Sequence, residues 1–209
     1  MLFAAGQRIV FIGDSITDCD RRGVAAPYGD GYVSLVRSLL LARYPERRLT
    51  IVNRGVSGDT TRHLAARWER DVVAEWPNWL VVFIGINDVW RSFDNNPREA
   101  VPLAEYGATL RRLIRRAQTA TRSGLILMTP YMIEPDRAQP MRRQMDAYGA
   151  ELRAIAVEVG ATLVDIQAAF DAVLASTLPG DWASDRIHPT GPGHAAIALA
   201  LLRAVGFAW

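Results

Sequence analysis

The stretch VFIGDSITD, residues 10–18, decides the fold of this chain and raises its central question. Four consecutive apolar residues, Ile9–Ile12, form a short run of the kind that a buried parallel strand carries. Gly13 then permits a tight turn, and Asp14 and Ser15 follow directly at the carboxyl end of the strand. Ser15 is either the N-cap of a following helix, a position that serine favours, or a nucleophile presented at the edge of a sheet.

Similar apolar runs alternate with longer segments of helical period along the whole chain. Strands are predicted at about residues 8–12, 49–53, 79–85, 124–129 and 161–165. Helices are predicted near residues 31–44, 60–75, 103–122, 142–159, 166–175 and 191–205. This alternation predicts an α/β protein: a flavodoxin-like three-layer α/β/α sandwich with a five-stranded parallel sheet, in a single domain over residues 1–209. In such sheets ligands bind beyond the carboxyl ends of the strands.

Composition and charge exclude several classes of function. Half of the 209 residues are apolar and 22% are charged, which is typical of a globular protein. A net charge of +2, with arginines scattered among acids, argues against a nucleic-acid partner. The single cysteine, Cys19, lacks the companions of a metal site, so no metal is expected. No apolar run reaches the ~18 residues of a membrane span and no signal peptide is evident, so we expect a cytoplasmic protein without a membrane partner.

A serine nucleophile needs a base, and the chain contains three histidines. His63 and His194 lie in helical stretches and are more simply packing or surface residues. His188 precedes a proline, which favours an extended backbone, and Asp185 lies three residues before it. One loop turn can place the Asp185 carboxylate against one ring nitrogen and leave the other nitrogen to face Ser15, the arrangement of serine hydrolases. The alternative is an ordinary surface contact between an aspartate and a histidine.

Ester hydrolysis also needs donors for the oxyanion, and two loops offer candidates. Gly55, in NRGVSG, can bring its backbone N–H close to a substrate because it has no side chain. Asn87, in GIND, carries an amide at the end of the third strand. Taken singly, each is also a common turn or cap residue.

With these residues in place, the sequence resembles the SGNH, or GDSL, hydrolase family. The motif blocks occur in order as GDS at residues 13–15, Gly55, GIND at residues 85–88 and D-x-x-H at residues 185–188. Segments such as GINDVWR and MTPYMIEP resemble bacterial acetylxylan esterases. The resemblance implies Ser15 as nucleophile, His188 as base and Asp185 as its orienter. It also implies an oxyanion hole made by the N–H groups of Ser15 and Gly55 and the side chain of Asn87, with no metal or organic cofactor.

The substrate prediction depends on residues near the predicted rim of the sheet. Trp90, Trp182 and Tyr131 either stack on sugar rings or serve as core or interface residues, and Arg91 either binds sugar hydroxyls or pairs with acids. Together with these residues, the resemblance to acetylxylan esterases implies an acetylated xylo-oligosaccharide as the substrate. A lipid esterase, a lysophospholipase or a thioesterase of the same superfamily is the nearest alternative, and would need an apolar channel or a lid.

Two alternative hypotheses involve no ester hydrolysis. A catalytically silent carbohydrate-binding protein would share this fold, but the Ser15, His188 and Asp185 set argues against it. A nucleotide-binding protein is disfavoured because the sequence lacks G-x-G-x-x-G and a P-loop. The apolar segment GFAW, with Phe207 and Trp209, packs either into its own domain or against a neighbour, and we expect a homo-oligomer.

Overall fold

The computed structural model describes residues 1–94 and 96–208 and has at its centre a five-stranded parallel sheet. The strands are β1 (Arg8–Gly13), β2 (Thr50–Gly55), β3 (Trp79–Phe83), β4 (Gly124–Met128) and β5 (Thr162–Val164). Their order in the sheet is β2-β1-β3-β4-β5. Because β1 and β3 are neighbours from which the chain leaves in opposite directions, the sheet has its topological switch point between them.

The strand register brings the loops of the switch point together. Gly13 at the end of β1 pairs with Gly55 of β2 on one side and with Phe83 of β3 on the other. The three strands therefore end at the same level, so the segments that follow them open onto one edge of the sheet.

Eight α-helices lie within the described residues. They are α1 (Ser15–Asp18), α2 (Tyr32–Arg43), α3 (Thr61–Asp71), α4 (Ile86–Trp90), α5 (Leu103–Thr121), α6 (Pro140–Val159), α7 (Ile166–Leu174) and α8 (Gly191–Ala204). Helix α8 packs against α2 and α7, while α5 packs against α3 and α6. The two groups form the outer layers, because right-handed crossovers in opposite directions from the switch point place helices on opposite faces.

The core follows from the sequence pattern. The central residues of β1 and β3 are almost fully buried because helices cover both faces of the sheet. Helix α5 buries Tyr106, Leu110 and Ile114, which are spaced as one face of a helix requires. No helix in the described part of the chain is long and apolar enough to cross a membrane.

The predicted strands and long helices are confirmed, with boundaries that differ by a few residues. The sequence missed α1 and α4, which contain four and five residues. At the C-terminus, Phe207 is 8% exposed and its ring packs on Tyr44 with centroids 5.5 Å apart. The end of the chain thus packs against its own domain at Phe207, and Trp209 lies outside the described residues.

Candidate active site

Ser15 lies at the first position of α1, directly beyond the switch-point end of β1. The preceding Asp14 is the N-cap, and its Oδ1 accepts a hydrogen bond from the Ile16 N–H over 3.1 Å. The short helix ends at Cys19, which has a left-handed backbone with φ of 42°. The local sequence thus folds Ser15 into a tight turn that is capped at both ends, which leaves its side chain partly exposed at the edge of the sheet.

Ser15, His188 and Asp185 form one hydrogen-bonded chain. The Ser15 Oγ lies 3.1 Å from Nε2 of His188, and Nδ1 of His188 lies 2.7 Å from Oδ2 of Asp185. An ionised carboxylate only accepts hydrogen bonds, so Nδ1 carries the ring proton and Nε2 has a lone pair for the Ser15 hydroxyl. The arrangement can therefore remove a proton from Ser15.

The Asp185 carboxylate is held ionised by hydrogen bonds. Burial raises its pKa, but the His188 ring and the backbone N–H groups of His188 and Ile187 outweigh that effect, so the pKa lies below its usual value. Its Oδ1 accepts from these two N–H groups over 2.7 and 2.9 Å. The His188 and Asp185 side chains are 44% and 43% exposed, so this end of the site is open to solvent.

The loop that carries Asp185 and His188 is anchored to the segment after β4. Ile133 donates its N–H to the Arg186 carbonyl over 2.9 Å, and the Tyr131 hydroxyl donates to the Ile187 carbonyl over 2.8 Å. The Arg186 guanidinium pairs with Glu134. Arg186 has a φ of 67°, a strained value for a residue with a side chain, so these contacts hold the loop in a conformation that its sequence alone does not favour.

Asn87 lies on α4 at the end of β3 and reaches the same edge of the sheet. Its Nδ2 donates to the Asp59 carbonyl over 3.0 Å, and the side chain is 3% exposed. The neighbouring Asp88 accepts from the N–H and the hydroxyl of Thr61, which ties α4 to the start of α3. Because an amide nitrogen has two hydrogens, Asn87 retains one for a ligand.

The prediction that Gly55 donates its N–H to an oxyanion is wrong. Its N–H already donates to Oδ1 of Asn53 over 2.9 Å. A Cβ on Gly55 would lie 2.2 Å from the Asp18 nitrogen and 2.5 Å from the Thr17 carbonyl carbon. Gly55 is therefore a packing glycine, needed because the backbone of α1 crosses directly over β2.

Gly58, which the sequence reasoning missed, is the glycine whose N–H is available. Its φ is 83°, and a Cβ there would meet nothing closer than Nη2 of Arg91 at 3.6 Å. Within residues 1–94 and 96–208 the Gly58 N–H, like that of Ser15, donates to no protein group. Asn53, two residues before Gly55, was an available signal, because asparagine often accepts from the N–H two residues later.

Two of the four predicted substrate residues lie beside the hydrogen-bonded chain. Trp90 packs edge-on against His188 with ring centroids 5.6 Å apart. Arg91 pairs with Asp94 over 2.7 Å, and its guanidinium lies close to Gly58. Both residues therefore flank the path to Ser15.

The other two predicted substrate residues lie elsewhere. Tyr131 has no exposed surface, so the prediction that it stacks on a sugar is wrong. Its hydroxyl instead anchors the loop of His188 through the hydrogen bond to the Ile187 carbonyl. Trp182 is partly buried, donates to the Thr177 hydroxyl over 2.7 Å and lines a groove between α7 and α8. Its contact with a substrate stays a prediction.

The remaining histidines and the cysteine make structural contacts. His63 accepts from the Thr60 N–H at the start of α3 over 3.1 Å. His194 accepts from the Tyr32 N–H over 3.3 Å, and its Nε2 lies 3.5 Å from the Cys19 sulfur. Burial lowers the pKa of His194 to about 4 and raises the pKa of Cys19 to about 12, so both are neutral near pH 7. Among the described residues, no three His, Cys, Asp or Glu side chains are grouped as a metal would require.

Comparison with known proteins identifies the family of this chain. A family model for GDSL-like lipases and acylhydrolases matches residues 11–196, which is most of the chain. This chain belongs to that family. An acetylxylan esterase from Geobacillus stearothermophilus is 47% identical to this acylhydrolase, over 100% of this chain and 98% of the relative.

Two solved structures are similar to this chain in three dimensions. A crystal structure of the Geobacillus acetylxylan esterase matches with a TM-score of 0.96 at 47% identity, covering 100% of this chain and 98% of that one. A hydrolase from the metagenome of Lake Arreo in Spain matches with a TM-score of 0.94, also at 47% identity, over 99% and 98% of the two chains. The α/β fold and the carboxylic ester hydrolase class of this acylhydrolase follow from these matches.

Proposed function

We propose that this chain is a serine esterase that removes acetyl groups from xylo-oligosaccharides by a two-step mechanism. The observation that carries the proposal is the hydrogen-bonded chain from Ser15 through His188 to Asp185. It lies at the switch point of the sheet, where ligands of such folds bind. The likeness to an acetylxylan esterase over nearly the whole of both chains supports the substrate class.

In the first step, Ser15 attacks the carbonyl carbon of the acetyl ester. As the new bond from Oγ forms, Nε2 of His188 takes the hydroxyl proton. The bond between the carbonyl carbon and the sugar oxygen then breaks, and His188 returns its proton to that oxygen. Asp185 stabilises the imidazolium that exists between these proton transfers. The sugar leaves with a free hydroxyl, and the acetyl group stays on Ser15.

Three donors are available for the charge that develops on the carbonyl oxygen. They are the N–H of Ser15, the N–H of Gly58 and the second amide hydrogen of Asn87. Because all three are positioned before substrate binds, they stabilise the oxyanion without reorganisation during the reaction. Gly58 replaces Gly55 in this role, since the N–H of Gly55 is occupied by Asn53.

In the second step, water repeats the attack on the acetyl-enzyme. His188 takes a proton from the water as its oxygen bonds to the carbonyl carbon, and Ser15 leaves with that proton as acetate forms. The open position of His188 gives water direct access. In this proposal Trp90 and Arg91 contact the sugar, the indole by its ring face and the guanidinium by hydrogen bonds to hydroxyls, which their positions beside His188 and Gly58 support.

The substrate class is tested by a series of aryl esters from acetyl to octanoyl, together with an acetylated xylo-oligosaccharide. We expect the acetyl ester to react fastest and the sugar to lose acetate, with Ser15→Ala as the inactive control. A lipid esterase should gain ~0.8 kcal/mol of binding for each methylene that it buries. Rates that climb with chain length, with no acetate released from the sugar, would support the lipid esterase alternative instead.

Three further properties stay predictions. They are a single-domain organisation over residues 1–209, a cytoplasmic location and assembly into a homo-oligomer. Size-exclusion chromatography with light scattering tests the last, because it gives the mass of the particle in solution.

A further inference from the structure

One buried arginine lies directly beneath the loops of the active site. Arg67 belongs to α3, is 8% exposed and uses its guanidinium to join four acceptors. Nε donates to Oδ2 of Asp59 over 2.6 Å, and Nη2 donates to the Gly13 carbonyl over 3.0 Å. Nη1 donates to the Arg54 carbonyl over 2.6 Å and to Oδ2 of Asp71 over 3.0 Å.

These acceptors belong to the segments that carry the reacting groups. Gly13 is the last residue of β1 and lies two positions before Ser15. Asp59 follows Gly58 directly, and its carbonyl accepts the hydrogen bond that holds Asn87. The guanidinium of Arg67 therefore touches both the strand end that presents the nucleophile and the loop that presents the oxyanion donors.

We propose that Arg67 is a positioning residue that fixes the spacing between the nucleophile and the oxyanion donors. It touches no reacting atom, and its effect passes through Asp59 and the Gly13 carbonyl. The guanidinium suits this task because its planar donors have a rigid geometry, which a flexible ammonium cannot reproduce. The inference rests on the proposed ester hydrolysis and adds to it a residue that lies outside the motif blocks.

Spacing matters because oxyanion donors act over short distances. They stabilise the transition state only when they lie ~2.7–3.1 Å from the charged oxygen. A misplacement of ~1 Å can lower the rate by ~10²-fold, even when its cause lies away from the chemistry. Binding of the neutral ester depends much less on these donors, so the effect should fall on kcat rather than on KM.

A purely structural role is the alternative, since loss of one partner of a buried ion pair destabilises a protein in any location. Asp71 provides a matched control. It is 6% exposed and contacts Arg67 from the same helix, but it touches neither Gly13 nor the loop of Gly58. Asp71→Asn should therefore lower the thermal midpoint while keeping kcat within ~3-fold of wild type.

The test measures kcat and KM for an aryl acetate, and the rate at which a fluorophosphonate labels Ser15. For Arg67→Gln we expect kcat to fall ~10²-fold with little change in KM, and labelling to slow in parallel. Arg67→Lys should fall between wild type and Arg67→Gln, because one nitrogen cannot reach all four acceptors. Circular dichroism at the assay temperature confirms that each variant is folded.

Asp59→Asn is the second variant, used in case Arg67→Gln does not fold. It weakens the contact to Arg67 and keeps the backbone carbonyl that holds Asn87, so kcat should again fall while KM is retained. The inference is overturned if these variants keep kcat within ~3-fold of wild type, or if Asp71→Asn loses as much activity as they do.

The experiment distinguishes failure of the proposed function from failure of this inference. If the wild-type protein hydrolyses no acetyl ester, the proposed function is wrong, but Arg67→Gln should still be labelled more slowly than wild type. Equal labelling rates for the two proteins would overturn the inference about Arg67.

Discussion

Replacement of Asn87 by alanine tests the side-chain donor of the proposed oxyanion hole. The amide is almost fully buried, and one of its hydrogens is used by the Asp59 carbonyl at 3.0 Å. The other hydrogen is left for a substrate oxygen. Alanine removes both hydrogens, so catalysis and stability should each suffer, through two different contacts.

The loss of catalysis and the loss of stability differ in size, and each is measured by a different quantity. Removal of one oxyanion donor typically lowers kcat by ~10²–10³-fold, or ~2.7–4 kcal/mol in the activation barrier. The buried Asp59 carbonyl loses its partner as well, which typically costs ~1–3 kcal/mol of folding free energy. In a protein of this size that cost lowers the thermal midpoint by ~2–12 °C. Circular dichroism at the assay temperature therefore has to accompany the kinetics, to show that the variant is folded.

Steady-state kinetics with an aryl acetate separate this role from substrate binding. We expect kcat to fall while KM stays within ~3-fold, because the charged oxygen exists only in the transition state. Asn78→Ala is the control, since Asn78 accepts from the Arg8 N–H over 2.8 Å at the opposite edge of the sheet. An Asn87→Ala protein with a raised KM and an unchanged kcat would refute the oxyanion role and make Asn87 a ground-state contact.

Three further predictions concern the nucleophile turn and its base. Ser15→Ala should lower ester hydrolysis by ~10⁴-fold or more with little change in thermal midpoint, and activity within ~10-fold of wild type would contradict the nucleophile role. Asp185→Asn should lower kcat by ~10⁴-fold, since an amide no longer fixes the tautomer of His188; an unchanged rate would mean that another group orients the ring. Burial raises the pKa of Asp14 from 3.8 to about 7, so the folded protein keeps a proton that the unfolded chain releases, and the free energy of unfolding should fall by up to ~4 kcal/mol between pH 4 and 7. Asp14→Asn should lack this part of the pH dependence in urea unfolding, and a constant difference between variant and wild type at every pH would contradict the assignment.

The long elements of the fold could be predicted from the sequence because each has a pattern of its own. Apolar runs such as Ile9–Ile12 occur where helices cover both faces of the sheet, and α5 shows one apolar face over 19 residues. The short helices α1 and α4 could not be found in this way, because four or five residues contain hardly more than one turn and show no period.

For the active site, the sequence by itself indicated the nucleophile, the base and its orienter of the proposed esterase, but not the glycine among the oxyanion donors. Ser15 follows a strand end, and Asp185 and His188 lie three residues apart, so a local turn is enough to bring the carboxylate to the ring. The spacing of the motif blocks along the chain indicated that these loops meet at one edge of the sheet.

Only the tertiary structure decided which glycine is free to donate and which aromatic residue is exposed. Gly55 and Gly58 are both turn glycines in sequence, but α1 packs over Gly55 and Asn53 occupies its N–H, whereas Gly58 is left open. Tyr131 is buried because the segment after β4 passes beneath the loop of His188. The physical reason is the same in each case: burial and hydrogen-bond occupancy are set by segments distant in sequence, which no local pattern records.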